Sequence, residues 1–139
     1  MVGVRVAFGS DEATVVTGAV QDHLRAAGHD VVLPRPEGDP WPDVGRAVGE
    51  AVAGGDADVG VVCCWTGTGV SMAANKVGGV RAALCTDAET ARGARRWNDA
   101  NVLALGLRLT SEALAAEIVD AFLATGPDDD EKENVAKLG

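Results

Sequence analysis

Short apolar runs alternate with longer amphipathic runs along this chain of 139 residues. The short runs have the length of buried strands, whereas the longer runs carry apolar residues at helical spacing, and glycine or proline separates the two kinds. We therefore predict strands over Val2–Phe8, Asp30–Leu33, Val59–Cys64, Val80–Cys85 and Val102–Leu105. The third of these is apolar throughout, which is typical of a parallel strand covered on both faces.

Helices are predicted between the strands. They cover Ala13–Ala27, a stretch from a capping Asp43 to about Ala53, a short helix ending at Asn75, Ala88–Trp97, and a last helix capped by Ser111. Prolines at positions 34, 36, 40 and 42 should prevent the second helix from starting earlier. Gly28 follows the first helix in the position that glycine favours at helix ends.

The alternation of strands and helices determines the expected fold class. It predicts an α/β fold with a three-layer, doubly wound, Rossmann-like or flavodoxin-like five-stranded parallel sheet. We assign residues 1–125 to a single domain and residues 126–139 to an acidic C-terminal tail, because apolar residues become sparse there. Ligands of such sheets bind at the carboxyl ends of the strands, so residues just after each strand are candidates for a site.

Composition and charge exclude several classes of function. The formal net charge of −9 argues against nucleic acid as a partner, because phosphate backbones are bound by clustered Lys and Arg. No apolar run reaches the roughly 18 residues of a membrane span, and no leader precedes the first strand, so we expect a cytoplasmic protein with no membrane partner. The three cysteines make neither a disulfide framework nor a metal-binding spacing, and we expect no metal and no cofactor.

The most informative segment joins the third strand to the short helix after it. It reads Cys63-Cys64-Trp65-Thr66-Gly67-Thr68-Gly69-Val70-Ser71. A thiol followed by N–H groups that converge on one point can pair a proton-transferring group with an oxyanion cradle. Strand alternation aims Cys64 at the turn and Cys63 at the other face, so we expect Cys63, like Cys85, to be structural. The alternative is that both adjacent cysteines lie in the core and the glycines only form a strand–helix turn.

Four blocks of the sequence resemble one known family. They are Phe8-Gly9-Ser10-Asp11, the segment Val61–Lys76, Gly79–Cys85 and Asn98–Arg108. In order and spacing they resemble the family of ribose-5-phosphate isomerase B and galactose-6-phosphate isomerase, over nearly the whole chain. The resemblance implies an aldose–ketose isomerase that acts on a small-molecule sugar or sugar phosphate through an enediolate. It also implies a homodimer or a dimer of dimers with shared active sites.

The resemblance implies a role for individual residues. Cys64 stands where these enzymes carry the base that moves a proton between C1 and C2 of the open-chain sugar. Asp11 matches an acidic residue that handles sugar hydroxyls, and Asn98 matches a side chain that contacts substrate oxygens. Helix capping by Asp11 and turn formation by Asn98 are the alternatives. The enediolate oxygens would be held by Thr66, Gly67, Thr68, Gly69 and Ser71.

Two positions that often carry histidine in the family differ here. Glu12 and Trp97 occupy them, so we expect ring opening to use a carboxyl group, Glu12 or Asp11, or water. The histidines of this chain, His23 and His29, are expected at the surface near the first helix.

The residues expected near a phosphate also differ. The tail reads Asp128-Asp129-Asp130-Glu131-Lys132-Glu133 where the family often brings His and Arg side chains to a phosphate, usually across a dimer interface, and carboxylates there would repel a phosphate. Of the family's phosphate-binding arginines only Arg108 is retained, and it could equally form a surface ion pair. Trp65 and Trp97 add two indoles that can stack on the C–H face of a sugar or simply pack.

Three functions are compatible with these residues. We favour an isomerase of this family with an altered substrate, unphosphorylated or carrying a neutral or cationic group. The second is ordinary isomerisation of ribose 5-phosphate, and the third is a catalytically silent relative that binds a ligand or a partner. Retention of Cys64 and its turn favours an enzyme, whereas loss of both histidines favours silence.

Overall fold

The strands of the computed structural model, which describes residues 3–139, lie in one sheet with every adjacent pair parallel. They are β1 (Arg5–Ser10), β2 (Asp30–Val32), β3 (Val59–Cys64), β4 (Ala82–Leu84) and β5 (Val102–Gly106). Their order in the sheet is β2-β1-β3-β5-β4. The central strand β3 is buried at every position, which confirms the interpretation of its apolar run.

Helices occupy the segments between the strands, as predicted. They are α1 (Val15–Ala26), α2 (Trp41–Ala53), α3 (Thr68–Asn75), α4 (Ala88–Asn98), α5 (Glu112–Ala124) and α6 (Lys132–Ala136), with a 3-10 turn over Asp129–Glu131 before α6. Side chains cap three of them, because Thr14, Asp87 and Ser111 each accept a hydrogen bond from a first-turn N–H group. Gly28 has a φ of 91° after α1, so the predicted glycine stop is confirmed.

The apolar side chains form two clusters, one on each face of the sheet. The first cluster joins the sheet to α1, α4 and α5 and contains Cys63. The second joins it to α2 and α3 and contains Cys64. Adjacent residues of a strand point to opposite faces, so the expected separation of the two cysteines is confirmed. The result is the predicted three-layer α/β fold.

The start of α2 differs from the sequence prediction. The helix begins at Trp41 with Pro42 in its first turn, and Asp43 lies inside that turn instead of capping it. A proline is compatible with this position because the first N–H groups of a helix have no intrahelical acceptor. The prediction of irregular structure up to Asp43 was therefore wrong.

Strand ends also differ by a few residues. β1 begins and ends later than the predicted Val2–Phe8, and Val2 lies outside the described residues. β4 covers only three of the six residues predicted over Val80–Cys85, and at this edge of the sheet the amide of Asn75 bonds both backbone groups of Ala82. A side chain thus takes the place of a further strand.

His29 is a second correction, because it is buried instead of lying at the surface. Only 6% of its surface is exposed, and its Nδ1 accepts a hydrogen bond of 3.1 Å from the N–H of Val4. It therefore ties the end of α1 to the start of β1. His23 is partly exposed, and its Nε2 lies 2.7 Å from Oδ1 of Asp120 on α5.

The acidic tail folds back onto the domain. The backbone N–H of Asp128 donates to the carbonyl oxygen of Arg96 on α4 at 2.8 Å. The boundary between residues 125 and 126 stays a prediction. Among residues 3–139, none of the helices is long and apolar enough to cross a membrane.

The contact between α2 and α3 generates a stability prediction. A Cβ on Gly45 would lie 2.7 Å from the carbonyl oxygen of Val70 and from Cβ of Ala73. Gly45→Ala should therefore lower the free energy of unfolding by about 1–3 kcal/mol in a denaturant titration, through overpacking. Gly18→Ala is the matched control, since it also adds a methyl group inside a helix but has no atom within 4 Å of the new Cβ. Equal stability of the two variants would contradict this account of the contact.

Candidate active site

A pocket of about 320 Å³ opens at the carboxyl ends of β1 and β3. Its lining comprises Asp11, Trp41, Cys64, Trp65, Thr66, Thr68 and Gly69. The sequence placed all of these at a candidate site except Trp41. The structure therefore brings Asp11, Cys64 and most of the glycine-threonine turn together, although Asp11 and Cys64 are 53 residues apart in the sequence.

Strand pairing explains why Asp11 and Cys64 meet. Ser10 of β1 is aligned with Cys63 of β3, and the N–H of Asp11 donates to the carbonyl oxygen of Cys63 at 3.4 Å. The next residue on each strand therefore emerges at the same edge of the sheet. Thr14 caps α1, so the alternative that Asp11 is the helix cap does not hold.

The three thiols have different surroundings. Cys63 is completely buried, and burial raises its pKa far above the usual value for a thiol. Burial also raises the pKa of Cys85 to about 11. Both thiols are therefore protonated at neutral pH. Cys64 is 5% exposed and is the cysteine that lines the pocket.

Gly67 shapes the turn that faces Cys64. Its φ is +77°, and a Cβ there would lie 2.8 Å from the carbonyl carbon of Leu105 and 2.9 Å from the nitrogen of Gly106. Glycine is therefore required both by the left-handed backbone conformation and by the close approach of β5. The turn is held against the end of the neighbouring strand.

Helix α3 begins directly after this turn. No side chain among residues 3–139 caps its N-terminus, and Oγ1 of Thr66 lies 2.6 Å from Oγ1 of Thr68. The first N–H groups of a helix lack intrahelical acceptors and favour an anion. Together with the two hydroxyls they give this side of the pocket hydrogen-bond donors that suit the oxygens of a ligand, and this group of donors is called the cradle below.

Asp11 carries an unusual carboxyl group. Its Oδ1 is buried and has no hydrogen-bond partner among the described residues. Burial raises its pKa above the usual value, although a hydrogen bond from its own backbone N–H opposes this. A carboxyl group in this environment is easier to protonate than an exposed one, which suits a group that donates a proton.

Two indoles form walls of the pocket. Trp41 lies over Gly69, since a Cβ on that glycine would lie 2.9 Å from Cε3 of the ring. Trp65 is 57% exposed beside it. The sequence analysis did not assign Trp41 to the site, because the prolines at positions 34, 36, 40 and 42 indicated irregular structure around it. The aromatic residue after Pro40 was the available signal.

Arg108 lies on the other side of Thr66. It lines a smaller cavity of about 200 Å³ with Trp65, Thr66, Gly106 and Leu109. The backbone N–H of Arg108 donates to the carbonyl oxygen of Trp65 at 2.9 Å. Its guanidinium forms no ion pair with any residue between 3 and 139, so it is available to an anionic ligand.

Several predicted site residues lie elsewhere in the chain. Trp97 and Asn98 line a groove of about 500 Å³ between β4 and α4, apart from the pocket of Cys64. Glu12 is exposed and does not line that pocket, and Ser71 lies half-buried within α3. Asn98 is the last residue of α4, and the left-handed turn after it belongs to Asp99, with a φ of 48°.

The acidic C-terminal tail packs on α4, away from the pocket of Cys64. Asp128, Asp129 and Lys132 surround a cavity of about 100 Å³ beside Arg96, and Nζ of Lys132 lies 3.9 Å from Oδ1 of Asp129. The tail therefore does not reach Cys64 of its own chain.

Within residues 3–139 no group of three or more His, Cys, Asp or Glu side chains is arranged to hold a metal ion.

Comparison with known proteins places this chain in a family. The family model for Ribose/Galactose Isomerase matches residues 6–138. The chain is 43% identical over 110 residues to galactose-6-phosphate isomerase subunit LacB of Clostridium acetobutylicum, covering 75% of this chain and 62% of that protein. It is 39% identical over 123 residues to ribose-5-phosphate isomerase B of Escherichia coli strain K12, covering 86% of this chain and 83% of that protein.

A solved structure agrees with these matches. Ribose-5-phosphate isomerase B of Clostridium thermocellum superposes with a TM-score of 0.92 at 38% sequence identity, and the match covers 97% of this chain and 95% of that one. The family model, the sequence relatives and the superposed fold therefore point to the same family. The chain therefore belongs to the ribose/galactose isomerase family of enzymes.

Proposed function

We propose that this protein is an aldose–ketose isomerase that moves a proton between C1 and C2 of an open-chain sugar, with Cys64 as the base. The observation that carries the proposal is the position of Cys64, the one pocket-lining cysteine, opposite the cradle formed by the turn and the start of α3. The relatives, a galactose-6-phosphate isomerase subunit and a ribose-5-phosphate isomerase B, support the same reaction.

The chemistry follows from this pairing. The thiolate of Cys64 removes the proton from C2 of the aldose, and the electrons of that C–H bond form the C1–C2 double bond of an enediolate. The carbonyl oxygen at C1 becomes negative and is held by the hydroxyls of Thr66 and Thr68 and by the first N–H groups of α3. The thiol then returns the proton to C1 while the proton of the O2 hydroxyl passes to O1, which gives the ketose and restores the thiolate.

Ring opening precedes this step when the substrate is cyclic. We assign it to Asp11, whose buried carboxyl group is suited to exchanging a proton with a ring oxygen or hydroxyl. Glu12 stays a candidate for a contact to a sugar hydroxyl because it follows Asp11 at the end of β1, although it is exposed and does not line the pocket of Cys64. The histidine positions that the family often uses are not available here.

We further propose that two chains complete each other's sites. Trp97 and Asn98 lie in a groove apart from Cys64 of the same chain. A homodimer, or a dimer of dimers, would bring these residues of one copy to the pocket of the other. The exposure of large apolar side chains such as Trp65 (57%) and Met72 (64%) supports an interface on this side. A cytoplasmic location stays a prediction.

The substrate is proposed to differ from an ordinary sugar phosphate. Arg108 lies beside the pocket and forms no ion pair with another described residue. Lys132 belongs to the tail, where its Nζ lies 3.9 Å from Oδ1 of Asp129. The carboxylates at positions 128–131 disfavour a dianion on that surface. A neutral or amine-bearing sugar fits this charge distribution. Isomerisation of ribose 5-phosphate is the second candidate, favoured by the free guanidinium of Arg108.

The first prediction tests the base. Cys64→Ala should lower the rate of isomerisation at least about a hundredfold, because a positioned base contributes a factor of that order or more. Cys63→Ala should leave the rate within a few-fold, since that thiol lies on the opposite face of the sheet. The rates of both variants are measured by incorporation of solvent deuterium at C2 of ribose, ribose 5-phosphate and galactose 6-phosphate. Exchange retained by Cys64→Ala would refute the assignment, and exchange absent from the natural protein with all three sugars would favour the silent relative.

The second prediction concerns pH and stability. Because the folded-state pKa of Asp11 is raised, its protonated form stabilises the fold, fully below about pH 4 and less as pH rises through the folded-state pKa. Asp11→Asn should therefore unfold at a higher temperature than the natural protein at pH 7, and the difference should shrink toward pH 3. Its isomerisation rate should fall. Asp22→Asn on the exposed face of α1 is the control, and an equal gain at pH 7 in both variants would contradict the role of burial.

The third prediction separates the two candidate substrates. A charge-assisted hydrogen bond contributes about 1.5–3 kcal/mol, so missing cations should weaken phosphate binding about tenfold to a hundredfold each. Calorimetric titration should show ribose 5-phosphate binding no more tightly than ribose. Micromolar binding of ribose 5-phosphate that is weakened by Arg108→Ala, but not by Arg5→Ala at the far end of β1, would establish the ordinary isomerase instead.

A further inference from the structure

The turn that joins α4 to β5 has an unusual backbone. Asp99 follows the last residue of α4 with a φ of 48°, and it is the one residue other than glycine with a positive φ among residues 3–139. A residue with a side chain is unfavourable in this left-handed conformation unless the surrounding contacts hold it there. Such positions cluster at functional sites, so the contacts of Asp99 are informative.

An arginine next to the edge strand holds Asp99 at two points. Arg81 directly precedes β4, and its Nε donates to the carbonyl oxygen of Asp99 at 2.6 Å. Its Nη2 donates to Oδ2 of the same residue at 3.2 Å. The planar guanidinium presents several donors in a fixed fork, whereas a lysine would present a point charge. Arg81 therefore holds both the backbone and the side chain of the turn.

The backbone of Arg81 is itself held in place. The side chain of Asn101 accepts a hydrogen bond from the N–H of Arg81 at 2.7 Å and donates one to the carbonyl oxygen of Gly79 at 2.9 Å. In return, the carbonyl oxygen of Arg81 accepts from the N–H of Asn101 at 2.9 Å. The amide of Asn75 bonds both backbone groups of the next residue, Ala82. The guanidinium thus reaches the turn from a fixed base.

A second arginine contacts the same turn but also has another task. Nη1 of Arg95 donates to the carbonyl oxygen of Ala100 at 2.5 Å. Its Nε donates to the carbonyl oxygen of Thr125 at 2.9 Å, so Arg95 also joins α4 to the end of α5. The two shortest bonds of the Arg81 guanidinium, by contrast, both go to Asp99. Arg81 is therefore the residue whose loss would affect the turn most selectively.

Asn98 is the residue that this turn can direct. It is the last residue of α4, directly before Asp99, and it lines the groove of about 440 Å³ that Arg81 also lines. Because the helix ends here, the direction in which Asn98 leaves it depends on the turn that follows. The family resemblance implies that Asn98 contacts substrate oxygens, so a change in its position would be felt by the substrate.

We propose that Arg81 is a positioning residue, which fixes the left-handed turn at Asp99 and thereby the direction of Asn98. Arg81 acts only through the turn and makes no contact with the substrate. Groups that bind a substrate have to be held closely in place by supporting contacts, and this arginine supplies such contacts. The catalytic relevance of the inference rests on the proposed function, in which Asn98 of one copy reaches the pocket of another. Neither Arg81 nor Asp99 lines the pocket of Cys64.

Kinetics distinguishes positioning from a purely structural role. Arg81→Met keeps a long side chain but removes its donors. With the fastest substrate among ribose, ribose 5-phosphate and galactose 6-phosphate, it should raise KM about twofold to tenfold, the factor for one misplaced hydrogen bond, and leave kcat within about twofold. A variant that is only partly unfolded would lower the apparent kcat at an unchanged KM.

Arg5→Met is the matched control. Arg5 also pairs with an aspartate, Asp58, at 3.2 Å, but it lies at the start of β1, with β3 and β5 between it and β4. Its loss removes the same kind of ion pair without touching the turn after α4. The KM of Arg5→Met should therefore equal that of the natural protein.

Variants of Asp99 separate the ion pair from the backbone conformation. Asp99→Gly favours the positive φ but lacks the carboxylate, so KM should rise by less than in Arg81→Met, because the bond to the carbonyl oxygen remains. Asp99→Asn keeps an acceptor and tolerates the left-handed conformation, so its KM should be near the natural value. Adding Asp99→Gly to Arg81→Met should raise KM no further, since both changes remove the same interaction. Fully additive effects would overturn the inference.

Hydrogen exchange provides a readout that needs no turnover. The N–H groups of Asp99 and Ala100 both donate to carbonyl oxygens in the last turns of α4, at 3.2 and 3.0 Å. Measured by NMR on the full-length protein, both groups should exchange about tenfold faster in Arg81→Met than in Arg5→Met, because the turn opens more easily without its ion pair.

The two readouts fail in distinguishable ways. Faster exchange in Arg81→Met of a protein that isomerises no sugar would refute the proposed function and leave the positioning of the turn intact. Unchanged exchange would overturn the inference, and with a raised KM it would make Arg81 a direct substrate contact. Faster exchange in an active enzyme with an unchanged KM would overturn it too, because Arg81 would then be only structural. If Arg81→Met does not fold, Arg81→Lys, which lacks the planar fork, replaces it with the same expectations.

Discussion

The pairing of β3 with β1 on one side and β5 on the other is the constraint on which the site depends. The first pairing aligns Ser10 with Cys63, and so delivers Asp11 and Cys64 to the same edge. The second aligns Cys64 with Gly106, and the turn containing Gly67 then packs directly on that strand end. Neither the thiol nor the cradle would be positioned without this three-strand core. The site is therefore built mainly on rigid backbone, which limits how far its groups can move.

Stability and function oppose each other at two points of this site. Asp11 keeps a buried oxygen without a partner among the described residues, which is unfavourable for folding but suits a group that exchanges protons. The N-terminus of α3 has no side-chain cap, as is also true of α2 and α6, whereas the three other α-helices have one. A capping side chain would occupy the N–H groups that the proposed reaction needs. Both features leave polar groups unsatisfied where a ligand can satisfy them.

Helix α4 links the features that distinguish this chain from the family pattern. Its last turn provides Trp97, and the backbone carbonyl of Arg96 accepts a hydrogen bond from the acidic tail. A single helix thus carries Trp97 and holds the acidic tail, two features that support the proposal of an altered substrate.

Local interactions made much of the fold predictable from the sequence. The apolar run of β3, the glycine stop at Gly28 and the Ser111 cap depend on neighbours within a few residues, and so did the assignment of Cys63 and Cys64 to opposite faces. Tertiary structure alone decided that Trp41 faces the pocket and that His29 is buried against Val4. It also decided the separation of Trp97 from Cys64, because the order β2-β1-β3-β5-β4 results from pairing between distant strands that no local pattern encodes.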